Sequence, residues 1–314
     1  MAERRPDVSV VIPVYNGEGT VGRTVADVRA AFAGRAVLEV VLVDDGSADG
    51  SAAVCARLAE DGSGRTVFLR LARNFGEHNA VMAGMRHCSG EFVVVIDDDL
   101  QHDPADAVRL FTTARDSGKD LVYGALTTRE HSWWRTSASR LNGWMATVLL
   151  GKPPGLYLSS FKCMSRWLVE EVCRYQGPYP YIDGLALRCT ANLSSIPVSH
   201  RPRAEGRSGY TLRKLLRLWM NVFVNFSVLP LRLSAGLGFA MVGLGALLAV
   251  EAVAERLFGP AVPAGWSSLV VIIIVFSGVQ LLILGLLGEY LGRLYMASSE
   301  SPQYAVRERR GRPA

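Results

Sequence analysis

The chain of 314 residues is 49% hydrophobic and 20% charged, with 31 glycines and a net charge of +5. This excludes a disordered chain, a collagen-like one and a small disulfide scaffold. The charged fraction is too high for a wholly membrane-embedded protein, and the mean hydropathy of +0.19 is unusual for a wholly soluble one. A soluble domain joined to a membrane part is the first expectation.

Residues 1 to about 200 alternate strand and helix signals. Val8-Ser-Val-Val-Ile-Pro-Val is a β-branched run, residues 21–33 have helical spacing, and 38–45 form the next strand. A helix over 52–59, a strand over 66–71, a helix over 79–88 and a strand over 91–97 follow. Strands that are apolar on both faces, separated by helices, predict an α/β domain with a mostly parallel, doubly covered sheet. Ligands of such sheets sit beyond the carboxyl ends of the strands. Asn16, Asp44, Asp45, Asp97, Asp98 and Asp99 all fall at those ends.

After residue 230 the chain changes character. Residues 233–250 and 257–288 carry no charge. A crossing needs about 20 apolar residues, so two transmembrane helices are expected, at about 233–253 and 268–290. Gly259, Pro260, Pro263 and Gly265 mark the turn between them. Basic residues flank the pair on both outer sides, among them Arg213, Lys214, Arg217 and Arg232 before it and Arg293, Arg307, Arg309, Arg310 and Arg312 after it. The positive-inside rule then places both termini in the cytoplasm. Residues 212–223 combine an apolar stripe with Arg213, Lys214 and Arg217, the pattern of a helix lying on the inner leaflet. The division expected is a 1–208 α/β domain, a 209–232 amphipathic juxtamembrane segment, a 233–291 hairpin and 292–314 a flexible basic tail.

The cysteines, Cys55, Cys88, Cys163, Cys173 and Cys189, form no C-x-x-C and no zinc spacing, which fits reduced cytosolic thiols. The first residues lack the apolar core of a signal peptide. The basic excess points to anionic lipid or phosphates, and no nucleic-acid-binding motif is present.

Asp97-Asp-Asp-Leu-Gln-His-Asp-Pro follows a buried strand directly. Three adjacent carboxylates repel one another unless solvated or sharing a cation. Alternate side chains at a strand end face the same way, so Asp97 and Asp99 can act together. Two hard oxygen ligands suit Mg²⁺ or Mn²⁺ on a diphosphate. Asp103 reads as a helix cap before Pro104. Asp44-Asp-Gly-Ser is a second acidic strand end, suited to a nucleobase, a ribose or turn chemistry. No G-x-G-x-x-G or P-loop is present, which argues against a dinucleotide oxidoreductase or a P-loop ATPase.

Together, Val10-Val-Ile-Pro-Val-Tyr-Asn, Val43-Asp-Asp-Gly-Ser, Arg73-Asn-Phe-Gly and the Asp97 segment resemble the family-2 glycosyltransferases of GT-A fold. Asp-x-Asp-Leu-Gln, Ser160-Phe-Lys, the 203–210 segment and an ending in Gly285-Leu-Leu-Gly-Glu-Tyr-Leu-Gly-Arg-Leu-Tyr narrow the resemblance to the polyprenyl-phosphate glycosyltransferases. Within these the chain is similar to dolichyl-phosphate mannose synthases and, more closely, to bacterial undecaprenyl-phosphate sugar transferases. The resemblance implies that Pro13, Tyr15, Asn16 and Asp45 line a nucleotide-sugar pocket, with Asp44 and Asp98 beside them. It implies that Asp97 and Asp99 hold the metal and diphosphate and that Gln101 positions the sugar or phosphates. Arg129, Arg135, Ser160, Lys162, Arg203 and Arg207 are the implied contacts for phosphate or the lipid acceptor. Two departures stand out. Ser160-Phe-Lys stands where many relatives have Asp-Phe-Arg, with Leu156 where others have an Asp, and Gly206-Arg-Ser-Gly replaces Gly-x-Ser-Lys. The implied activity is inverting transfer of a sugar from a nucleotide sugar to a polyprenyl phosphate at the cytoplasmic membrane face. A homo-oligomer is compatible with the glycines of the first span. The rival readings are a processive polysaccharide synthase, transfer to another lipid, and a non-catalytic membrane sensor of nucleotide sugars.

Overall fold

The computed structural model describes residues 5–62, 64–126, 153, 156–177, 180–199, scattered positions between 234 and 254, 266–298 and 302–311. Two compact units form: residues 1–209 with 300–314, and residues 210–299.

The first unit is built on an eight-stranded sheet of order β7-β5-β6-β4-β1-β2-β3-β8. β1 (Val8–Val14), β2 (Leu38–Asp44), β3 (Arg65–Leu71) and β4 (Phe92–Val95) run parallel to one another. Between them lie α1 (Val21–Phe32), α2 (Ser51–Glu60) and α3 (Glu77–His87). α4 (Pro104–Asp116), β5 (Leu121–Leu126), β6 (Lys162–Ser165), α5 (Arg166–Cys173), α6 (Ile182–Cys189) and β7 (Leu193–Val198) complete the order. β5 and β7 are parallel, whereas β6 runs antiparallel between β4 and β5.

Period-two geometry explains the apolar strands. Val8, Val10, Ile12 and Val14 pack into one core with Val25, Val28 and Phe32 of α1 and Leu110 and Phe111 of α4. Val11, Val41 and Val43 point the other way, into a core with Ala80, Met82 and Ala83 of α3 and Leu168 and Val169 of α5. Both faces of β1 and β2 are covered, so their positions must be apolar or internally paired. Glu39 shows the second case. It is fully buried, and its carboxylate accepts from Ser9 Oγ, Ser89 N and Ser89 Oγ at 2.5–2.8 Å. α4 starts as expected: Asp103 accepts from Ala105 N at 3.0 Å and Pro104 opens the helix. The five cysteines are free thiols.

The basic tail departs from expectation. Instead of lying free, Val306–Arg310 forms β8, antiparallel to β3 at the sheet edge. Arg310 reaches Glu60 and Glu308, and Gln303 is buried with Nε2 donating to Gly177 O at 2.8 Å. An edge strand offers unpaired backbone groups, and the tail occupies those of β3 whatever its own charge.

In the second unit, the described positions between 234 and 254 are helical, and α7 runs 33 residues from Trp266 to Ser298, across the second expected span. Judged on the described residues alone, no helix is long and apolar enough to cross a membrane. The expected helix at 212–223 lies outside the described residues.

Candidate active site

Strand register brings the polar ends together. Val14 pairs with Asp44, and Val11 pairs with Val95, so the chain leaves β1, β2 and β4 at one edge. There a cavity of about 290 Å³ opens, lined by Pro13, Val14, Tyr15, Asp45, Asn74, Gly76, Glu77, Asp97, Asp98 and Asp99. Six of the residues expected at the site therefore share one space: Pro13, Tyr15, Asp45, Asp97, Asp98 and Asp99.

The loops around it are held by their own polar residues. Asn16 takes the left-handed conformation (φ 54°), donates its N–H to Ser47 Oγ at 3.0 Å and accepts from Ala48 N through Oδ1 at 2.9 Å. It stitches the β1–α1 loop to the β2–α2 loop rather than lining the cavity. Asp44 is fully buried, accepts from Ser47 N at 3.2 Å, and lies 3.6 Å from Arg70 Nε.

Asp45 lines the cavity with both carboxylate oxygens engaged. Oδ1 accepts from Phe75 N at 2.7 Å and Oδ2 from Gly76 N at 2.9 Å. It thereby fixes the Arg73-Asn-Phe-Gly turn, which supplies Asn74 and Gly76 to the wall. Burial raises its pKa above the usual carboxylate value, and the two N–H groups oppose that rise. Gly46 lets the turn approach: its φ is +69°, and a Cβ there would lie 2.5 Å from the Arg73 carbonyl carbon.

The three consecutive aspartates divide their roles. Asp97 Oδ2 accepts from Ser160 Oγ at 2.8 Å and lies 3.6 Å from His102 Nε2. His102 is buried and stacks on Phe161, with ring centroids 4.5 Å apart. Burial works against the Asp97 charge, but His102, the Ser160 hydroxyl and the Lys162 charge outweigh it and hold the carboxyl below its usual pKa. Asp99 Oδ1 accepts from Gln101 N at 3.1 Å across a turn that places Leu100 at φ 60°. Asp98 packs toward Gly17, where a Cβ would meet its Oδ2 at 1.9 Å, and that oxygen is buried without a hydrogen-bond partner. Burial first, then the charges of Asp97 and Asp99, push its pKa up to about 7.

Glu77 carried no signal of a site role in the sequence, where it stands before the helix expected over 79–88; the structure starts that helix at Glu77. Its side chain opens into the cavity, and its pKa rises to about 7, through desolvation first and the Asp97 charge second. His102 and Asn74 were also without an assigned role. Their partners, Phe161 and Asp97 for the one and the Asp45-held turn for the other, are visible only in three dimensions.

Of the phosphate and acceptor residues, Ser160 donates to Asp97, and Lys162 is buried with its ammonium paired to Asp183. Arg129, Arg135, Arg203 and Arg207 lie outside the described residues.

The raised Asp98 pKa has a consequence for stability. An acid whose folded pKa is raised binds more protons folded than unfolded, so its effect destabilises increasingly as pH climbs from about 4 to about 7. Asp98→Asn is expected to raise the melting temperature of nucleotide-free protein at pH 8 in chelator. It should also flatten the pH dependence between 4 and 7. Melting curves that coincide with the native protein's across that range would refute the assignment.

Comparison with known proteins agrees with this geometry. Residues 9–168 match the model of glycosyl transferase family 2. The chain is 35% identical over 303 residues to an undecaprenyl-phosphate 4-deoxy-4-formamido-L-arabinose transferase of Enterobacter sp. (strain 638), covering 95% of this chain and 92% of that one. It is 36% identical over 307 residues to the Edwardsiella ictaluri (strain 93-146) protein of the same description, covering 95% and 93%. Among solved structures, glucosyl-3-phosphoglycerate synthase of M. tuberculosis superposes with a TM-score of 0.50 at 18% identity, over 70% of this chain and 78% of that one, which supports the GT-A-like fold. The chain belongs to glycosyltransferase family 2, among the polyprenyl-phosphate glycosyltransferases.

Proposed function

We propose that this glycosyltransferase moves a sugar, with inversion, from a nucleotide sugar to a polyprenyl phosphate, most simply undecaprenyl phosphate, at the cytoplasmic membrane face. The observation that carries the reading is the shared cavity at the strand ends, where the Asp45-held turn meets Asp97 and Asp99. The full-length likeness to undecaprenyl-phosphate transferases supports the acceptor class.

The donor set suits a divalent metal shared with a diphosphate. Among the described residues, no group of three or more His, Cys, Asp or Glu is placed to hold a metal alone. The cavity nevertheless concentrates four aspartates, Asp45, Asp97, Asp98 and Asp99, and Asp98 has a buried oxygen without a hydrogen-bond partner. Asp97 and Asp99 would hold Mg²⁺ or Mn²⁺, which neutralises a leaving nucleoside diphosphate. Ser160 and His102 orient Asp97, and Gln101 N orients Asp99. The acceptor phosphate, with a second pKa near about 6, is largely ionised at pH 7 and attacks the anomeric carbon as the bond to the diphosphate breaks. No proton has to be removed, which accounts for a serine at position 160 in place of a carboxylate base.

The hairpin belongs to the same reading. Residues 1–209 and 300–314 fold as one unit, through β8 on β3. A chain that leaves and re-enters the same unit crosses a bilayer an even number of times. Reporter fusions after Ala314 and within 259–265 are expected to report opposite sides of the membrane, and the same side for both would refute the hairpin. The activity is tested by incubating membranes carrying the protein with labelled nucleotide sugars and undecaprenyl phosphate. The panel should include the nucleotide-linked 4-deoxy-4-formamido-L-arabinose suggested by its relatives. Label is expected in the lipid fraction with one donor class, and no lipid product from any donor would overturn the reading.

A further inference from the structure

Behind the acidic strand end lies a buried polar cluster whose one part so far is the Lys162 charge that helps keep Asp97 ionised. The Lys162 ammonium pairs with Asp183 Oδ1, and the two side chains are 3% and 9% exposed. Tyr123, fully buried on β5, donates its hydroxyl to the same oxygen at 2.9 Å, and the ammonium lies 5.5 Å from its ring centroid. The cluster ties together β5, β6 and α6.

A buried ion pair adds little net stability, because desolving both ions offsets their attraction. Apolar side chains in all three places, with Tyr123 losing its hydroxyl as well, could fill the same core at little loss, so the cluster calls for a reason other than cohesion. The strand register supplies one. β6 runs antiparallel to β4 with Lys162 opposite Val95. Two residues further in each direction, Ser160 comes level with Asp97 and donates to it at 2.8 Å. β6 is only four residues long, and Lys162 is its first residue. β4 and β5 pair with β6 on both sides, and Gly124 N donates to Phe161 O at 3.0 Å, but Ser160 lies beyond these pairings, and the anchored lysine lies two residues from it.

We propose that Lys162, Asp183 and Tyr123 form a positioning cluster for the transfer site, fixing the entry of β6 so that Ser160 holds Asp97 in one orientation. Its effect on turnover rests on the glycosyl-transfer reading above; its effect on the strand does not. Lys162 is then a positioning residue rather than a phosphate ligand.

The test uses full-length protein with Lys162→Met, Ser160→Ala, their combination, and the apolar set Lys162→Met/Asp183→Leu/Tyr123→Phe. Amide hydrogen exchange and transfer kinetics are read on each. Lys162→Met is expected to speed exchange over 158–162 by about tenfold, leaving β1 to β3 unchanged. It should lower kcat by about tenfold with the donor KM within about twofold, as for loss of a residue that orients a metal ligand. Adding Ser160→Ala should lower kcat far less than the product of the single effects, because both changes release Asp97 from the same orientation. The apolar set should melt near or above the native temperature yet keep the kcat defect. The proposal is overturned by unchanged exchange at 158–162, by Lys162 and Ser160 effects that multiply, or by an apolar set that transfers at the native rate. Should Lys162→Met not fold, the apolar set, which leaves no unpaired ion or hydroxyl, carries the same comparisons. If no donor gives transfer even with the native chain, the glycosyl-transfer reading has failed, and the exchange result alone decides the positioning role.

Discussion

Asp99→Asn is expected to lower transfer by at least about a hundredfold in kcat, a loss of the size seen when one preorganised electrostatic partner of a developing charge is removed. The change removes an anionic oxygen from the Asp97–Asp99 pair while leaving the size of the side chain intact. Oδ1 of Asp99 accepts from Gln101 N, and the amide oxygen of Asn can keep that bond. The turn through Leu100 should therefore survive, and membrane insertion and melting temperature should stay near native. Kinetics at saturating and limiting Mn²⁺ check this. Near-native turnover at limiting metal would mean that the carboxylate pair does not serve the reaction.

Asp45→Ala is the second large effect, and it should appear in donor binding. Asp45 holds Phe75 N and Gly76 N with its two oxygens, and alanine leaves both N–H groups without their acceptor. An unsatisfied buried group costs about 1–3 kcal/mol, so the turn that carries Asn74 and Gly76 should loosen. Nucleoside-diphosphate affinity is expected to fall by about ten- to a hundredfold, following that range. Asp45→Asn should be nearly as damaging, since its amide NH₂ would face one of the two backbone donors. Titration calorimetry with the matching nucleoside diphosphate reads both variants. Native affinity in Asp45→Ala would show that the turn holds without its carboxylate.

These two predictions separate what the sequence can say from what it cannot. The parallel core strands were legible because burial on both faces forces continuous apolar runs, as in Val8–Val14 and Leu38–Asp44. The cap at Asp103 was legible because its partners are local. The antiparallel strands were not. Lys162–Ser165 is too short to show a period, and Val306–Arg310 reads as a solvated basic tail because edge pairing uses backbone groups that leave no side-chain signature. At the site, sequence spacing located the carboxylates but not their partners. Asp45 and Asp97 looked alike as acids at strand ends, yet one spends both oxygens on a backbone turn and the other is gripped by Ser160, 63 residues away. Lys162 looked like a phosphate ligand because Asp183, which takes its charge, lies on a helix that the linear pattern does not bring near it.

The chemistry proposed here depends on an acceptor that arrives already ionised, with Ser160 occupying the place of a base. The most direct test is to offer one active donor, with purified protein in bilayers, to undecaprenyl phosphate, undecaprenol and diacylglycerol in parallel. The account predicts labelled lipid with undecaprenyl phosphate and at most a small fraction of that with either neutral alcohol, because neither alcohol arrives ionised and no carboxylate stands at position 160. Efficient transfer to undecaprenol or diacylglycerol would contradict it.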